Sequence, residues 1–417
     1  MRRRKILIVF ERFGTGHLRM ARILYAILAK EPGVDVSMLA GNELLGESRT
    51  PFTARAWNFF LRNNCIFCAD AVLNFAARLL LLPAAETLLA PRFYQALDEW
   101  AGDVIISTAD VYNKALGTWA GERKKDFFIF LTDISIFLDL THPRATHLVY
   151  FDETHSAVHS YDYAAAYYAH SLGRHIRFAE AARYIAAYMR DYLLPLSRHS
   201  IYRSVDNHYL PRNRAVVHST GPLAEEKHFF DLDRVAIREQ VGLHTAREIV
   251  VLLSGGIGGR QIGQLVRRIC SEYRSPIDLV AICGNDKTTY ARLQAFACRN
   301  PHVHLVAHGF RDDLELFLAS ADCVIARPSA GVFMETLIHR VPMLAYGRTL
   351  TNDAGTCSMI EKHSLGRVCR EEAGLSEQLS MILADRNAYK ENIEKLLSQY
   401  PKSFHEKADL LRRIILG

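Results

Sequence analysis

Short runs of β-branched and other apolar residues alternate with longer segments of helical periodicity along most of the chain. This alternation is typical of parallel sheets whose strands are joined by helices packed on both faces. The first series of predicted strands comprises Lys5–Phe10, Val34–Leu39, Asp103–Ser107, Phe127–Thr132 and His147–Phe151. The second series comprises Ile249–Leu253, Leu279–Cys283, His302–Val306, Asp322–Ala326 and Met343–Tyr346. We therefore predict an α/β protein with two Rossmann-like, doubly wound domains that face a cleft.

The length of 417 residues also favours two domains, because it exceeds the usual size of one. The glycine and proline of Thr220-Gly-Pro222 are typical of a linker. We predict an N-terminal domain over 1–220 with a helical insertion near 158–200, and a C-terminal domain over 221–400. Residues 401–417 are expected to form a helix that packs back on the N-terminal domain.

The charge balance limits the classes of partner. A net charge of +6 suits an anionic ligand or an anionic membrane surface, but it is too modest to indicate nucleic acid. No apolar stretch approaches the roughly 20 residues of a membrane span, and no signal peptide is recognisable. The expected location is the cytoplasm, with peripheral binding to the inner face of the cell membrane as an option.

Two apolar segments do not indicate a single function. Trp57–Pro83 is rich in aromatic and aliphatic residues with interspersed arginines, which fits either a core helix pair or an apolar flap that touches a membrane or a lipid. Cys65-Ile-Phe-Cys68 has the CxxC form without a second ligand pair, so we expect neither a zinc nor a redox role for it.

A glycine-containing loop, Phe13-Gly-Thr-Gly-His17, follows the first predicted strand and opens the first helix. Glycines allow close approach to a ligand, and a helix N-terminus attracts an anion. The loop is not the dinucleotide fingerprint, because Arg19 and Met20 stand where its last glycine would be. His17 is a candidate general base for a hydroxyl group, with a structural or helix-capping histidine as the alternative.

The second domain begins with a similar loop, Leu253-Ser-Gly-Gly-Ile-Gly-Gly259, between a strand and the predicted helix Gln261–Tyr273. Backbone amides without obstructing side chains suit a pyrophosphate. One such loop in each domain indicates a ligand on each side of a cleft.

A third segment, Gly309–Pro342, has the pattern helix, strand, small-residue loop, helix, strand. Ser329, Ala330 and Gly331 present backbone amides at the start of the later helix, and Glu335 lies one turn inside it. A carboxylate there can accept hydrogen bonds from both hydroxyl groups of a ribose. The alternative is a glutamate that is favoured only by the helix dipole.

Together these residues resemble the nucleotide-binding half of GT-B glycosyltransferases, and the similarity extends over most of the chain. The chain is most similar to glycosyltransferase family 28, which holds diacylglycerol glycosyltransferases and the lipid-linked N-acetylglucosaminyltransferase of peptidoglycan synthesis. Phe13–His17 resembles the acceptor-side Gly-x-Gly-His loop of that family, Leu131-Thr-Asp133 its Thr-Asp motif, and Thr220-Gly-Pro222 its hinge.

The resemblance implies inverting transfer of a sugar from a UDP-sugar to a lipid hydroxyl group, with no metal and no cofactor besides the donor. His17 and Asp133 would be the catalytic residues, and Glu335 would hold the uridine ribose. The acceptor-side residues would be Gly14, Thr15 and Gly16. The predicted donor-binding residues are Gly255, Gly256, Gly258, Gly259, Gly284, Phe310, Ser329, Ala330, Gly331, Glu335, Asn352 and Asp353.

The chain departs from the family pattern at the sugar-contacting motif. Asn352, Asp353 and Thr356 stand where diacylglycerol enzymes have Gln, Glu and Asn, and Phe137 stands where they have His. The sequence therefore identifies neither the sugar nor the acceptor. Three other hypotheses stay open: transfer to a soluble natural product, a UDP-sugar 2-epimerase, and a non-catalytic sugar-nucleotide-binding protein.

Overall fold

The computed structural model describes residues 3–12, 15–46, 52–63, 65–70, 82–109, 111–135, 140–142, 144–154, 158, 216–253, 261–347, 350–371 and 374–417. The chain divides into two compact units. The first unit comprises Met1–Trp57, Phe67–Gly221 and His405–Gly417, and the second comprises Asn58–Ile66 and Pro222–Phe404.

The first unit contains a parallel sheet of six strands: β1 (Arg4–Phe10), β2 (Val34–Ala40), β3 (Val104–Ser107), β4 (Asp126–Phe130), β5 (Thr146–Val149) and β6 (Val216–Ser219). Their order across the sheet is β2-β1-β3-β4-β5-β6. The described helices before β6 are α1 (Gly16–Leu28), α2 (Gly41–Leu44), α3 (Phe52–Arg62), α4 (Ile66–Cys68), α5 (Leu82–Trp100) and α6 (Asn113–Glu122). β1 is apolar and buried from Ile6 to Phe10, as expected for a strand covered on both faces.

The second unit contains another parallel sheet of six strands: β7 (Glu248–Leu253), β8 (Ile277–Ile282), β9 (Val303–His308), β10 (Cys323–Ala326), β11 (Met343–Tyr346) and β12 (Gly366–Cys369). Their order is β12-β11-β10-β7-β8-β9. The helices of this part are α7 (Arg234–Gln240), α8 (Gln261–Glu272), α9 (Lys287–Gln294), α10 (Leu314–Ser320), α11 (Ala330–Ile338), α12 (Ala354–Lys362), α13 (Leu375–Ala384) and α14 (Arg386–Leu397). The last helix of the chain is α15 (Phe404–Leu416).

The two predicted doubly wound sheets are confirmed, and each has one strand more than predicted. β6 and β12 are four residues long and lie at the edges of their sheets, beside β5 and β11. β6 contains His218 and Ser219, and β12 begins Gly366-Arg367. Neither segment has the apolar run that identifies a buried strand in a sequence. Hydrogen bonding to the neighbouring strand, and not local sequence, therefore makes each of them a strand.

Each sheet has a point where the strand order reverses, between β1 and β3 in the first unit and between β7 and β10 in the second. Ligands of doubly wound sheets bind at the carboxyl ends of the strands beside such a point. We therefore expect the site residues in the loops that follow β1, β3 and β4 in the first unit and β7 to β11 in the second.

The C-terminal helix α15 contacts the first unit through polar groups. Arg412 forms an ion pair with Glu31 at 2.7 Å, and Arg4 donates to the carbonyl of Leu416 at 2.7 Å. The buried ammonium of Lys407 donates to the carbonyl of Thr220 at 3.0 Å. Burial lowers the pKa of Lys407 to about 7, because desolvation disfavours its charged form.

Asp322 fixes the start of β10 from a buried position, with 3% of its surface exposed. Its carboxylate accepts hydrogen bonds from Arg234 at 2.5 Å, from Arg238 at 2.7 Å and from the backbone N–H of Ile249 at 2.9 Å. Burial alone would raise the pKa of Asp322, but the two arginines and the Ile249 N–H outweigh it and lower that pKa. The network joins α7, β7 and β10 beside the strand-order reversal.

Two features of the sequence are only partly described. Most of the predicted insertion near 158–200, and residues 71–81 of Trp57–Pro83, lie outside the described residues. Within the described part of the latter segment, Phe59 and Phe67 are 61% and 75% exposed. In the described part of the chain, no helix combines the length and apolar character of a membrane span.

Candidate functional site

His17 lies in the first turn of α1 and is buried, with 8% of its surface exposed. Its Nδ1 lies 2.8 Å from the carbonyl oxygen of Thr108 and 3.0 Å from the hydroxyl oxygen of Thr132. The hydroxyl group of Thr108 donates in turn to the carbonyl of His17 at 3.0 Å. Thr108 directly follows β3 and Thr132 follows β4, so the ends of two neighbouring strands hold the imidazole.

These contacts determine the tautomer of a neutral His17. A carbonyl oxygen can only accept, so Nδ1 must carry the proton that is donated to Thr108. The lone pair of the neutral ring then lies on Nε2. In this tautomer, Nε2 can accept a proton from a hydroxyl group, which is the protonation state that general-base catalysis requires.

The other predicted residues of this loop have distinct local roles. Thr15 is the N-cap residue of α1, but its side chain makes no capping hydrogen bond. A Cβ atom added at Gly16 would meet nothing within 4 Å, so packing in the first unit does not require glycine there. Asp133 is half-buried and directly follows Thr132, which places it beside the partner of His17. Gly14 lies outside the described residues.

In the second unit, the predicted ribose ligand Glu335 lies on α11 with 1% of its surface exposed. Its Oε1 is 3.8 Å from Nε2 of His228, a residue of the 3-10 turn Glu226–Phe229. Nδ1 of His228 lies 3.1 Å from Nε2 of His339, the C-cap residue of α11. Burial and, to a smaller extent, the charge of Arg340 lower the pKa of His339 to about 4. Glu335 thus lies in line with the buried imidazole of His228 and the half-buried imidazole of His339, neither of which a local sequence pattern indicated.

An ion pair links the two motifs predicted to bind the donor. Nε of Arg327, in the loop after β10, lies 3.5 Å from Oδ2 of Asp353, at the end of the 3-10 turn Thr351–Asp353. Asp353 is 4% exposed and its neighbour Asn352 is 8% exposed. The pairing therefore brings the loop that starts α11 against the turn that contains Asp353.

The remaining predicted donor residues follow adjacent strands. Gly284 comes after β8 with a φ of 57°, a conformation that favours glycine. Phe310 comes after β9 and is 64% exposed. A hydrogen bond of 2.9 Å from the N–H of Cys283 to the carbonyl of His308 places the ends of these two strands side by side. Ser329 is the extended N-cap residue of α11, and its hydroxyl group makes no capping bond. Gly255, Gly256, Gly258 and Gly259 lie outside the described residues.

Each unit therefore gathers part of the predicted site. The first places His17 against Thr108 and Thr132, and the second joins Glu335 to His228 and Arg327 to Asp353. Of the partners that were not predicted, only Thr132 carried a signal in the sequence, because it forms part of Leu131-Thr-Asp133.

Comparison with curated proteins finds relatives for part of the chain, whereas no protein-family model matches it. A probable monogalactosyldiacylglycerol synthase of Oryza sativa subsp. japonica is 27% identical over 114 residues, which cover 26% of this chain and 22% of that protein. A processive diacylglycerol β-glucosyltransferase of Bacillus licheniformis is 22% identical over 171 residues, 40% of this chain and 44% of that protein. The chain thus spans less than half the length of these relatives, and the predicted resemblance to diacylglycerol glycosyltransferases is confirmed.

Comparison with solved structures extends over the whole chain. MurG of Acinetobacter baumannii has a TM-score of 0.59 at 12% identity and covers 99% of both chains. UGT89C1 of Arabidopsis thaliana, solved with UDP-L-rhamnose, has a TM-score of 0.55 at 11% identity and covers 100% of both chains. At such identities the likeness is one of fold, and it confirms the predicted GT-B architecture.

Proposed function

We propose that this chain is an inverting glycosyltransferase that moves a sugar from a UDP-sugar to a hydroxyl group of a lipid or amphipathic acceptor. The observation that carries the proposal is the orientation of His17, whose Nδ1 is held by Thr108 and Thr132 at the carboxyl ends of β3 and β4. The curated relatives are named as diacylglycerol enzymes, which supports a lipid acceptor.

The reaction follows from a base at that position. The acceptor hydroxyl group gives its proton to Nε2 of His17, and its oxygen forms a bond to the anomeric carbon of the sugar. The bond from that carbon to the β-phosphate oxygen breaks, and UDP leaves with the electron pair. A single displacement of this kind inverts the anomeric configuration. Asp133, which adjoins Thr132, is proposed to assist on the acceptor side.

On the donor side, Glu335 is proposed to accept hydrogen bonds from the hydroxyl groups of the uridine ribose. Backbone amides at Ser329–Gly331 are proposed to stabilise the departing pyrophosphate. Asn352 and Asp353 are proposed to meet the sugar. Two findings support this: the Arg327–Asp353 ion pair joins the two loops concerned, and a neighbour of the same fold was solved with a UDP-sugar. No metal is needed in this scheme, since the amides supply the electrostatic stabilisation.

A thermal-shift screen with UDP and a set of UDP-sugars tests the donor assignment. UDP should raise the Tm of the wild type, because a ligand specific to the folded state stabilises it. The shift should be lost in Glu335→Ala and retained in His17→Ala. The absence of any shift in the wild type would overturn the donor assignment.

The acceptor proposal includes peripheral binding to an anionic membrane from the cytoplasmic side. A net charge of +6 and the exposed rings of Phe59 and Phe67 support it, because basic and aromatic groups suit a lipid surface. The wild type should co-sediment with vesicles that contain phosphatidylglycerol, and Phe67→Ser should weaken this binding. If the wild type remained in the supernatant at low salt, an acceptor that is soluble would be favoured instead.

A further inference from the structure

Three side chains of metal-ligand type meet at the amino ends of β7, β8 and β9. Asp278 is the second residue of β8, and His304 is the second residue of β9. The two are direct partners in the register of the parallel pair, so their side chains emerge on the same face. His244 joins them from the segment between α7 and β7.

The donor atoms converge with the spacing of a metal site. Nδ1 of His244 lies 2.9 Å from Oδ1 of Asp278, and Nδ1 of His304 lies 3.2 Å from the same oxygen. All three ligand atoms lie within 4.8 Å of one another. Zinc bonds of about 2.0 Å in a tetrahedral arrangement put neighbouring ligand atoms roughly 3.3 Å apart. The two separations from Oδ1 of Asp278 lie near that spacing, and the two imidazole nitrogens lie within 4.8 Å of each other.

The surroundings orient the carboxylate and leave room for a solvent ligand. Asp278 is fully buried, and its Oδ2 accepts the backbone N–H of His244 at 2.6 Å. This bond helps to hold the carboxylate in place, in the way that outer hydrogen bonds orient metal ligands, and Nδ1 of His244 also lies 3.0 Å from Oδ2. The His244 and His304 side chains are 52% and 42% exposed, so water can reach their nitrogens.

We propose that His244, Asp278 and His304 bind a Zn²⁺ ion, with water as the fourth ligand. Two imidazoles and one carboxylate form a ligand set that suits zinc. The ion would fasten the segment before β7 to β8 and β9. It would lie about 20 Å from the donor loops, because the strands between are six residues long. The site is therefore structural and separate from sugar transfer.

Isothermal titration of the full, chelator-treated chain with Zn²⁺ tests the proposal. The wild type should bind one equivalent that is weakened at least about 10-fold in His244→Ala and in His304→Gln, because even outer-shell changes cost that much. The His304→Gln side chain can still donate a hydrogen bond to Asp278, so it separates metal binding from a purely hydrogen-bonded cluster. At the same Zn²⁺ concentration, the Tm of the wild type should also rise more than that of the variants.

Two controls make the result decisive. His405→Ala removes an imidazole that pairs with Asp409 on α15 and should leave zinc binding unchanged. Cys65→Ser/Cys68→Ser removes the CxxC thiols and should also leave it unchanged. The proposal is overturned if the cysteine variant loses the equivalent, or if His304→Gln binds Zn²⁺ as tightly as the wild type. UDP should raise the Tm of His304→Gln as much as it raises that of the wild type. A failure of the zinc proposal can therefore be distinguished from a failure of the proposed sugar transfer.

Discussion

His17 owes its proposed chemistry to two residues that follow different strands. The carbonyl of Thr108 fixes the proton of a neutral ring on Nδ1, the hydroxyl group of Thr132 lies beside the same nitrogen, and helix α1 positions the ring at the carboxyl end of the sheet. The same contacts also satisfy the hydrogen bonding of a buried histidine, which is the alternative, structural role. Kinetics of variants separate the two roles.

Replacing His17 with Ala should lower kcat by about 10²–10⁴-fold, because the general base is lost. The affinity for UDP should stay nearly unchanged, since the donor residues lie in the second unit. Steady-state kinetics and calorimetry with UDP measure the two quantities. Thr132→Val, which retains the imidazole but removes one of its partners, should show a smaller loss of kcat. Loss of UDP binding in His17→Ala would assign His17 a different role.

His339 makes a pH-dependent contribution to stability. Its pKa is lowered from 6.5 to about 4 by burial, so the folded chain binds fewer protons than the unfolded chain between these values. The contribution is therefore complete above pH 6.5 and is lost as the pH falls toward 4. Between pH 7 and pH 5 it should amount to about 2 kcal/mol.

Urea titrations of the wild type and His339→Gln at pH 7 and pH 5 measure this contribution. The free energy of unfolding of the second unit should fall less on acidification in the variant, by about 2 kcal/mol. His405→Gln, at an exposed position, should behave as the wild type does. Equal acid sensitivity in wild type and His339→Gln would show that His339 is not buried in its neutral form.

At the level of secondary-structure elements, local patterns predicted the parts of the fold that depend on local sequence. Apolar runs rich in β-branched residues identified ten of the twelve described strands, and the small-residue loop before α11 was predicted with its helix. β6 and β12 were not predicted, because they are strands through their pairing with β5 and β11, respectively, and not through their composition. The contact between His228 and His339 was not predicted for a similar reason, because the two residues are 111 positions apart in the sequence.

The position of β10, the strand before the proposed donor-binding loop, depends on the contacts of Asp322. Asp322→Ala would leave Arg234 and Arg238 without their common partner next to a buried N–H of β7. We expect the free energy of unfolding of the second unit to fall by about 3–5 kcal/mol, because one partner of a buried network is removed. Asp126→Ala breaks only the exposed pair with Arg4 and should cost less than about 1 kcal/mol. Similar losses in both variants, measured in urea, would contradict this account of β10.

At the scale of the whole molecule, each unit supplies a different half of the proposed chemistry. The first contributes a positioned base, and the second contributes a carboxylate and helix-terminal amides for a nucleotide. Sequence could indicate this division because each half is marked by a loop at a strand end. It could not indicate the cluster of His244, Asp278 and His304, whose members come together only through strand register and have no motif spacing.

The most direct test of the central claim is transfer of labelled sugar. Wild-type chain is incubated with labelled UDP-glucose, UDP-galactose or UDP-N-acetylglucosamine and vesicles that contain diacylglycerol or a polyprenyl phosphate lipid, and label in the organic phase is counted. One donor and acceptor pair should give label in that phase together with stoichiometric UDP, and His17→Ala should give at least about 100-fold less. If every pair left the label in intact UDP-sugar, or if UDP-N-acetylglucosamine were converted to its 2-epimer without acceptor, the proposed glycosyl transfer to a lipid would be contradicted.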